Sequence, residues 1–184
     1  MTGFAASFRR EAALEKWLLL FFLFSAAGWV WEVLLTAITT GQWVNRGLLH
    51  GPWLPIYGAG GTLMAAAAGR LRRQWAAPLL GMLSGGAVEY GTSLALEGWF
   101  HQRWWDYAGQ AGSLGGRICL ASLLGFALAG WALVRLGPAL EQWLEGLSGG
   151  VRTAVCRSVS LLVALDWALS LLHPNTGAGI SCPL

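Results

Sequence analysis

Glu32, Glu89 and Asp166 each stand inside a long apolar stretch of the chain. A carboxylate at mid-bilayer costs roughly 2.5–3.5 kcal/mol on the insertion scale, so each needs a cation, a hydrogen-bond donor or water. The guanidinium groups able to answer are Arg46, Arg103 and Arg117, with Asn45 and Asp106 beside them. Arg46 and Arg103 follow Glu32 and Glu89 by the same fourteen positions. Arginine can grip a carboxylate or phosphate through forked hydrogen bonds, while the acids can pair with it or relay protons. A carboxylate general base with an arginine stabilising anionic charge would instead suit an enzyme acting on a lipid head group. No Ser-His-Asp, HExxH or Cys-His spacing supports that second chemistry, so no catalytic residue is assigned. The three cysteines, Cys119, Cys156 and Cys182, form no CxxC pair, and neither a metal site nor a cofactor is implied.

The elements that must position these groups follow from composition. Of 184 residues, 55% are hydrophobic and only 11% charged, and the mean hydropathy is +0.53. A soluble domain carries about a quarter charged residues. This excludes a soluble enzyme core, a disordered tail and a disulfide scaffold. The net charge is +3, and all but one of the twelve basic residues are Arg. They fall in short groups between apolar blocks rather than on one polar face, which excludes a nucleic-acid partner. Apolar blocks run from Trp17 to Ile38, Pro52 to Gly69, Ala76 to Leu96, Leu114 to Leu136 and Thr153 to Leu172. Backbone amides in lipid must be paired internally, and no block shows strand-like alternation. The expectation is an all-α fold: a polytopic transmembrane helical bundle of about five spans, residues 1–184 forming a single integral membrane domain.

Arg9, Arg10, Lys16, Arg70, Arg72, Arg73, Arg135, Arg152 and Arg157 fall on one side of such a bundle, and only Arg46, Arg103 and Arg117 on the other. The positive-inside rule then places the N-terminus in the cytoplasm and the C-terminus outside. Trp17, Trp43, Trp53, Trp75, Trp99, Trp104 and Trp105 lie near block ends, where interfacial anchors belong. A competing reading takes Lys16, the WLLLFFLF run and Ser25-Ala26-Ala27 as a secretory signal with a small-residue cleavage site. The apolar stretch continues well past Ala27, which favours a span.

Residues three and four apart share a helix face. Glu32 stacks with Ser25, Gly28, Trp29 and Thr36, and Glu89 with Met82, Gly85, Gly86 and Ser93. Both stripes are predicted to face the bundle interior, with Gly81 and Gly85 allowing close helix packing. The Asp166 face is polar only toward Ser170 and His173. Shifting the chain by 57 positions aligns Gly28 with Gly85, Glu32 with Glu89 and Arg46 with Arg103. This suggests a parallel repeat of two helices each, with a site between the halves. Gln42 to Gly61 is rich in Gly and Pro and is expected to dip into the outer half of the membrane before starting the second helix. The tail from Asn175 to Leu184 is expected to be mobile, and Cys119 and Cys182 lie near one side, where a disulfide is one alternative.

The ordered motifs Gly28-Trp29-x-x-Glu32, Asn45-Arg46-Gly47, Gly51-Pro52, Pro55-Ile56-Tyr57-Gly58, Glu89-Tyr90, Trp105-Asp106-Tyr107 and Gly116-Arg117-Ile118-Cys119 resemble the Putative ABC-transporter type IV (CmpB-like permease) family of bacterial membrane proteins. The resemblance covers about residues 17–135, and the fifth helix, about 153–172, lies beyond it. His50 departs from the expected pattern. The resemblance implies a permease of the bacterial cytoplasmic (inner) membrane. It makes Glu32, Asn45, Arg46, Tyr57, Glu89, Tyr90, Trp105, Asp106 and Arg117 the candidate substrate-binding residues. No GxxxxGK[ST] loop is present, so the ATPase is expected to be a separate protein. Expected partners are membrane lipid, a small polar solute, and a second copy of the chain, since five helices make a thin pathway. The leading reading is transport; a lipid head-group enzyme and a non-transporting scaffold or assembly factor are the alternatives.

Overall fold

The computed structural model describes residues 2–68, 71 and 73–183, with the backbone alone given for 2–12 and 183. Five helices follow one another: α1 (Thr2–Thr40), α2 (Pro55–Ala68), α3 (Ala77–Phe100), α4 (Leu120–Gly146) and α5 (Gly149–Leu172). Two short strands, β1 (Gln102–Arg103) and β2 (Cys182–Pro183), pair antiparallel. The all-α expectation holds. Three helices are long and apolar enough to cross a membrane: α1 over Ala13–Thr40, α4 and α5. α3 has 24 residues, and α2 has 14. At 1.5 Å per residue α2 is about 21 Å long, short of a ~30 Å hydrocarbon core.

The reason for that short helix lies in the segment before it. Residues 41–54 carry no regular structure. They descend beside α1 until the Leu54 amide donates to the Ser25 carbonyl at 2.9 Å. Ser25 lies fifteen residues back from the end of α1, a descent of about 22 Å along the helix axis. The segment thus runs back along α1, and α2 starts from the level of Ser25. Its register against α1 is set by glycines. Gly28 receives the Tyr57 ring, Gly58 sits on the Phe21 carbonyl, and Gly61 meets the Phe24 ring. Ser25, in the middle of this interface, is 1% exposed and donates to the Phe21 carbonyl at 2.8 Å. Ser25, the first of the small residues that imitate a cleavage site, is part of the α1–α2 packing.

α3 packs chiefly on α4. Gly81 meets the Phe126 carbonyl and the Gly130 backbone, and Gly85 meets the Phe126 ring. The small stripes expected to face inward do so: Gly28, Gly85, Gly86, Glu89 and Ser93 are buried. α4 begins at Leu120 rather than Leu114 because Gly115 and Gly116 have positive φ, 60° and 72°, and turn the chain back on itself. Cys119 then closes a capping box with Ser122. At its far end α4 continues through Pro138 to Gly146. Leu144 is buried there against Leu19, Leu20 and Cys156, and Lys16 pairs with Glu141 at 3.3 Å and Glu145 at 3.6 Å. Arg152 and Thr153 of α5 both hydrogen-bond Glu15 of α1 at that same end. The side chains of Arg9 and Arg10, and all of Arg70 and Arg72, lie outside the described residues.

The tail departs from expectation. The Asn175 amide donates to the Leu48 carbonyl at 2.9 Å, the Trp104 indole donates to the Asn175 carbonyl at 3.0 Å, and Cys182 pairs with Arg103 across the two strands. Exposed loop backbone at this end needs partners, and the tail supplies them. Cys119 and Cys182 are free thiols, the first buried and the second exposed.

The α3–α4 contact yields a direct test. Replacing Gly81 by Leu forces a side chain against backbone that cannot move aside, at an expected cost of about 1–3 kcal/mol. Gly91, whose Cβ position meets nothing within 4 Å, should accept Ala without loss of stability. Thermal unfolding of both variants in micelles would show it; equal melting temperatures would contradict the close approach.

Candidate functional site

Two of the three acids, Glu32 and Glu89, face one cavity. A cavity of about 300 Å³ lies between α1, α2, α3, α4 and the irregular segments 41–54 and 104–119, lined by Glu32, Leu35, Thr36, Thr39, Arg46, Gly47, Leu54, Ile56, Tyr57, Glu89, Trp104, Trp105, Tyr107 and Phe126. Glu32 accepts a hydrogen bond from the Tyr57 phenol at 2.5 Å, and its other oxygen lies 3.9 Å from Arg46 Nε. Glu89 is 6% exposed and accepts from the Tyr107 phenol at 3.0 Å. Burial and the neighbouring Glu89 charge push the Tyr107 phenol well above its ordinary pKa, so it stays a donor. Each acid thus takes a tyrosine proton from an element that follows its own helix. The arginines do not repeat in the same way, because Arg103 pairs with Glu97 and not with Glu89.

Among the candidate residues, Glu32, Arg46, Tyr57, Glu89 and Trp105 line the cavity. Asn45, Tyr90, Asp106 and Arg117 do not, for identifiable reasons. Asn45 accepts from the Trp29 indole at 2.6 Å and donates to the His50 carbonyl at 2.7 Å, which fixes the irregular segment to α1. Arg117 binds Glu97 at 2.8 Å and Ser93 Oγ at 2.9 Å, with its guanidinium carbon 5.9 Å from the centre of the Tyr90 ring. Asp106 accepts from the Ala108 amide at 2.8 Å and lies 3.8 Å from Arg103. Arg103 donates to Glu97 at 2.7 Å, and that hydrogen bond holds its guanidinium above the ordinary pKa. Glu97, with Arg103 and Arg117 on either side, forms a closed rim beside the cavity. The chain signals Glu97 only weakly: it stands four residues beyond Ser93 and eight beyond Glu89 on one face of α3. Tyr107, which lines the cavity but is not among the candidate residues, stands in the Trp105-Asp106-Tyr107 motif.

Asp166 is elsewhere. It accepts from the His50 amide at 3.0 Å, the Gly51 amide at 2.8 Å, the Trp53 indole at 2.6 Å and Ser170 Oγ at 3.2 Å. The His50 imidazole lies 3.0 Å from Ser170 Oγ. Asp166 is a backbone acceptor that anchors the irregular segment, which also explains why Trp53 is drawn inward. Trp104 is likewise no interfacial anchor, being 3% exposed, whereas Trp43, Trp75 and Trp99 are at least 70% exposed. From the tail, the Asn175 side-chain amide donates to the Asn45 and Gly47 carbonyls at 3.0 and 3.1 Å. Arg46 Nη1 donates to the Gly179 carbonyl. The cavity wall at Arg46 is therefore held by α5 and the tail.

A family model described as Putative ABC-transporter type IV matches residues 19–171. The chain belongs to that family. Its match extends through α5, so Asp166 falls within this ABC-transporter type IV region although the motif resemblance stops near residue 135. No curated protein and no solved structure matches the chain. For this type IV family member, the membrane-like helices and the family fit a multi-pass membrane protein.

The anchoring role of Asp166 is measurable. Asp166→Ala leaves two backbone amides and an indole N–H without their acceptor, at roughly 1–3 kcal/mol for each unsatisfied donor. A large drop in melting temperature is expected, with a smaller drop for Asp166→Asn, which keeps one carbonyl oxygen. An unchanged melting temperature in Asp166→Ala would remove the assignment.

Proposed function

We propose that this protein is a permease-like transport subunit that holds a small polar solute or ion in the chamber shared by Glu32 and Glu89. The observation that carries the reading is their convergence: acids 57 positions apart in the chain face one cavity together with Arg46. An acid used only to lock helices would be closed off by an arginine with no space beside it. The rim acid Glu97 has that character, and the chamber acids do not.

Nine basic residues in the sequence segments assigned to one side, against three in those assigned to the other, support an N-terminus in the cytoplasm and a C-terminus outside. The irregular segments and the chamber then lie toward the outer face of a bacterial cytoplasmic membrane. Alternating access would expose the chamber to the cytoplasm, with the α1–α2 and α3–α4 pairs acting as two halves. A separate ATPase supplies the energy in this reading, and a second copy of the chain widens the translocation path. Asn45, Tyr90, Asp106 and Arg117 act on the solute indirectly, through the segments they hold.

Cells producing the intact chain would be compared with Glu32→Gln and Arg46→Ala variants for accumulation of a panel of labelled small polar solutes. Glu32→Gln removes the charge without the shape, and accumulation is expected to fall at least about tenfold, the equivalent of 1.4 kcal/mol, at unchanged membrane abundance. Disappearance of both variants from the membrane would instead assign the pair to folding, and undiminished accumulation would end the transport reading.

A further inference from the structure

The charged clusters outside the chamber satisfy themselves. Glu15 is taken by Arg152 and Thr153, Lys16 by Glu141 and Glu145, and Glu97 by two arginines. Within the chamber two buried atoms have no hydrogen-bond partner: Glu89 Oε2 and Arg46 Nε. The Ser122 hydroxyl approaches the Glu89 carboxyl from α4 but donates its proton to the Cys119 carbonyl at 3.0 Å. A buried carboxylate oxygen left unpaired is costly. An occupant of the chamber that brings a donor would complete it.

We propose that this occupant is a small cationic amino alcohol, its primary ammonium on Glu89 Oε2 and its hydroxyl between Arg46 Nε and Glu32 Oε2. The assignment rests on the solute-binding reading above and names its substrate class. Three features select it. First, an ionised Glu89 only accepts at Oε2, so an occupant of that form must bring an N–H or O–H donor, which a quaternary ammonium without a hydroxyl lacks. Second, the ionisable charges lining the chamber are Glu32, Glu89 and Arg46. Glu32 and Arg46 offset each other at 3.9 Å, which leaves one negative charge at Glu89. A monocation neutralises that charge; an amino acid, neutral overall, leaves it standing and brings a second carboxylate close to Glu32.

Third, the 3.9 Å gap between Arg46 Nε and Glu32 Oε2 is too long for a hydrogen bond. A hydroxyl placed there accepts from the first and donates to the second. The rings of Tyr57, Trp105, Tyr107 and Phe126 complete the walls. They would cover the methylene carbons. Both tyrosine protons are already committed to the acids, so these phenols do not compete as donors.

The test uses the full chain in phosphatidylglycerol nanodiscs, with binding of ethanolamine, glycine, tetramethylammonium and sodium chloride followed by calorimetry. Saturable ethanolamine binding is expected, at least about tenfold tighter than for the other three. Glu89→Gln should weaken it by about tenfold or more, while Glu141→Gln, at the opposite end of the bundle, should retain it. Monodisperse elution of each variant reports folding, and should Glu89→Gln fail to fold, the ligand ranking and Arg46→Lys decide. Arg46→Lys should weaken ethanolamine but leave methylammonium, which lacks the hydroxyl, unchanged.

Equal or tighter binding of glycine, tetramethylammonium or sodium overturns the assignment. So does an ethanolamine affinity indifferent to Glu89→Gln, and so does competition by phosphatidylethanolamine added to the discs, which would place a lipid head group in the chamber. If no amine binds while solute accumulation still depends on Glu32, the substrate class falls and the transport reading stands. If both fail, the chamber is no solute site.

Discussion

Irregular backbone inside an apolar bundle must find every hydrogen-bond partner within the protein, because lipid offers none. Residues 41–54 meet part of that demand through groups borrowed from distant parts of the chain. Asp166 accepts the amides of His50 and Gly51, Asn175 donates to the carbonyls of Asn45 and Gly47, and the Ser25 carbonyl takes the Leu54 amide. These bonds determine how deep the segment descends. The depth in turn places Tyr57 opposite Gly28 and within reach of Glu32, and swings Arg46 to the chamber wall. α5 makes little direct contact with the other helices, and only with α1 to any extent. Its contribution is concentrated in Asp166 and in the tail that follows it.

The polar groups of the loop-bearing end divide into two populations with different physical consequences. At the rim, Glu97 is enclosed by Arg103 and Arg117, Asp106 lies beside Arg103, and Ser93 completes the set. Charges so matched, with hydrogen bonds filling the remaining directions, hold loops in register and keep little capacity for anything else. In the chamber the acids are satisfied on one oxygen by tyrosine, and the single arginine stands back from Glu32. Incomplete pairing in a low-dielectric cavity makes an incoming polar group favourable. The distinction between rim and chamber is thus a matter of hydrogen-bond completion and not of residue type.

The two helix pairs resemble each other in what they offer the chamber. α1 and α3 each present an acid above a stripe of small residues, and each acid takes a phenol from chain that follows it. The likeness stops at the arginines. Arg46 stays with the chamber because Gly179 of the tail and Glu32 hold it there, whereas Arg103 is turned away by strand pairing with Cys182 and by Glu97. A tail contributed once to two similar halves makes them unequal.

Much of this was legible in the order of residues. Lipid exposure forces an apolar composition, helix periodicity forces small residues onto the face that packs, and the price of a buried charge singles out Glu32 and Glu89, so the helical class, the inward stripes and the chamber acids could be read without coordinates. Helix ends were less legible: α4 runs past Pro138 because Leu144 finds a pocket against α1 and α5, and such a pocket exists only after folding. The partners were not legible at all. Which arginine meets which acid, the enclosure of Arg117 by Glu97 and Ser93, the use of Asp166 as a backbone acceptor and the docking of the tail are contacts between groups up to 133 positions apart. Local pattern carries information about faces and burial, which each helix expresses alone. Pairing among polar groups is settled by three-dimensional proximity, where several chemically equivalent partners compete and only packing chooses between them.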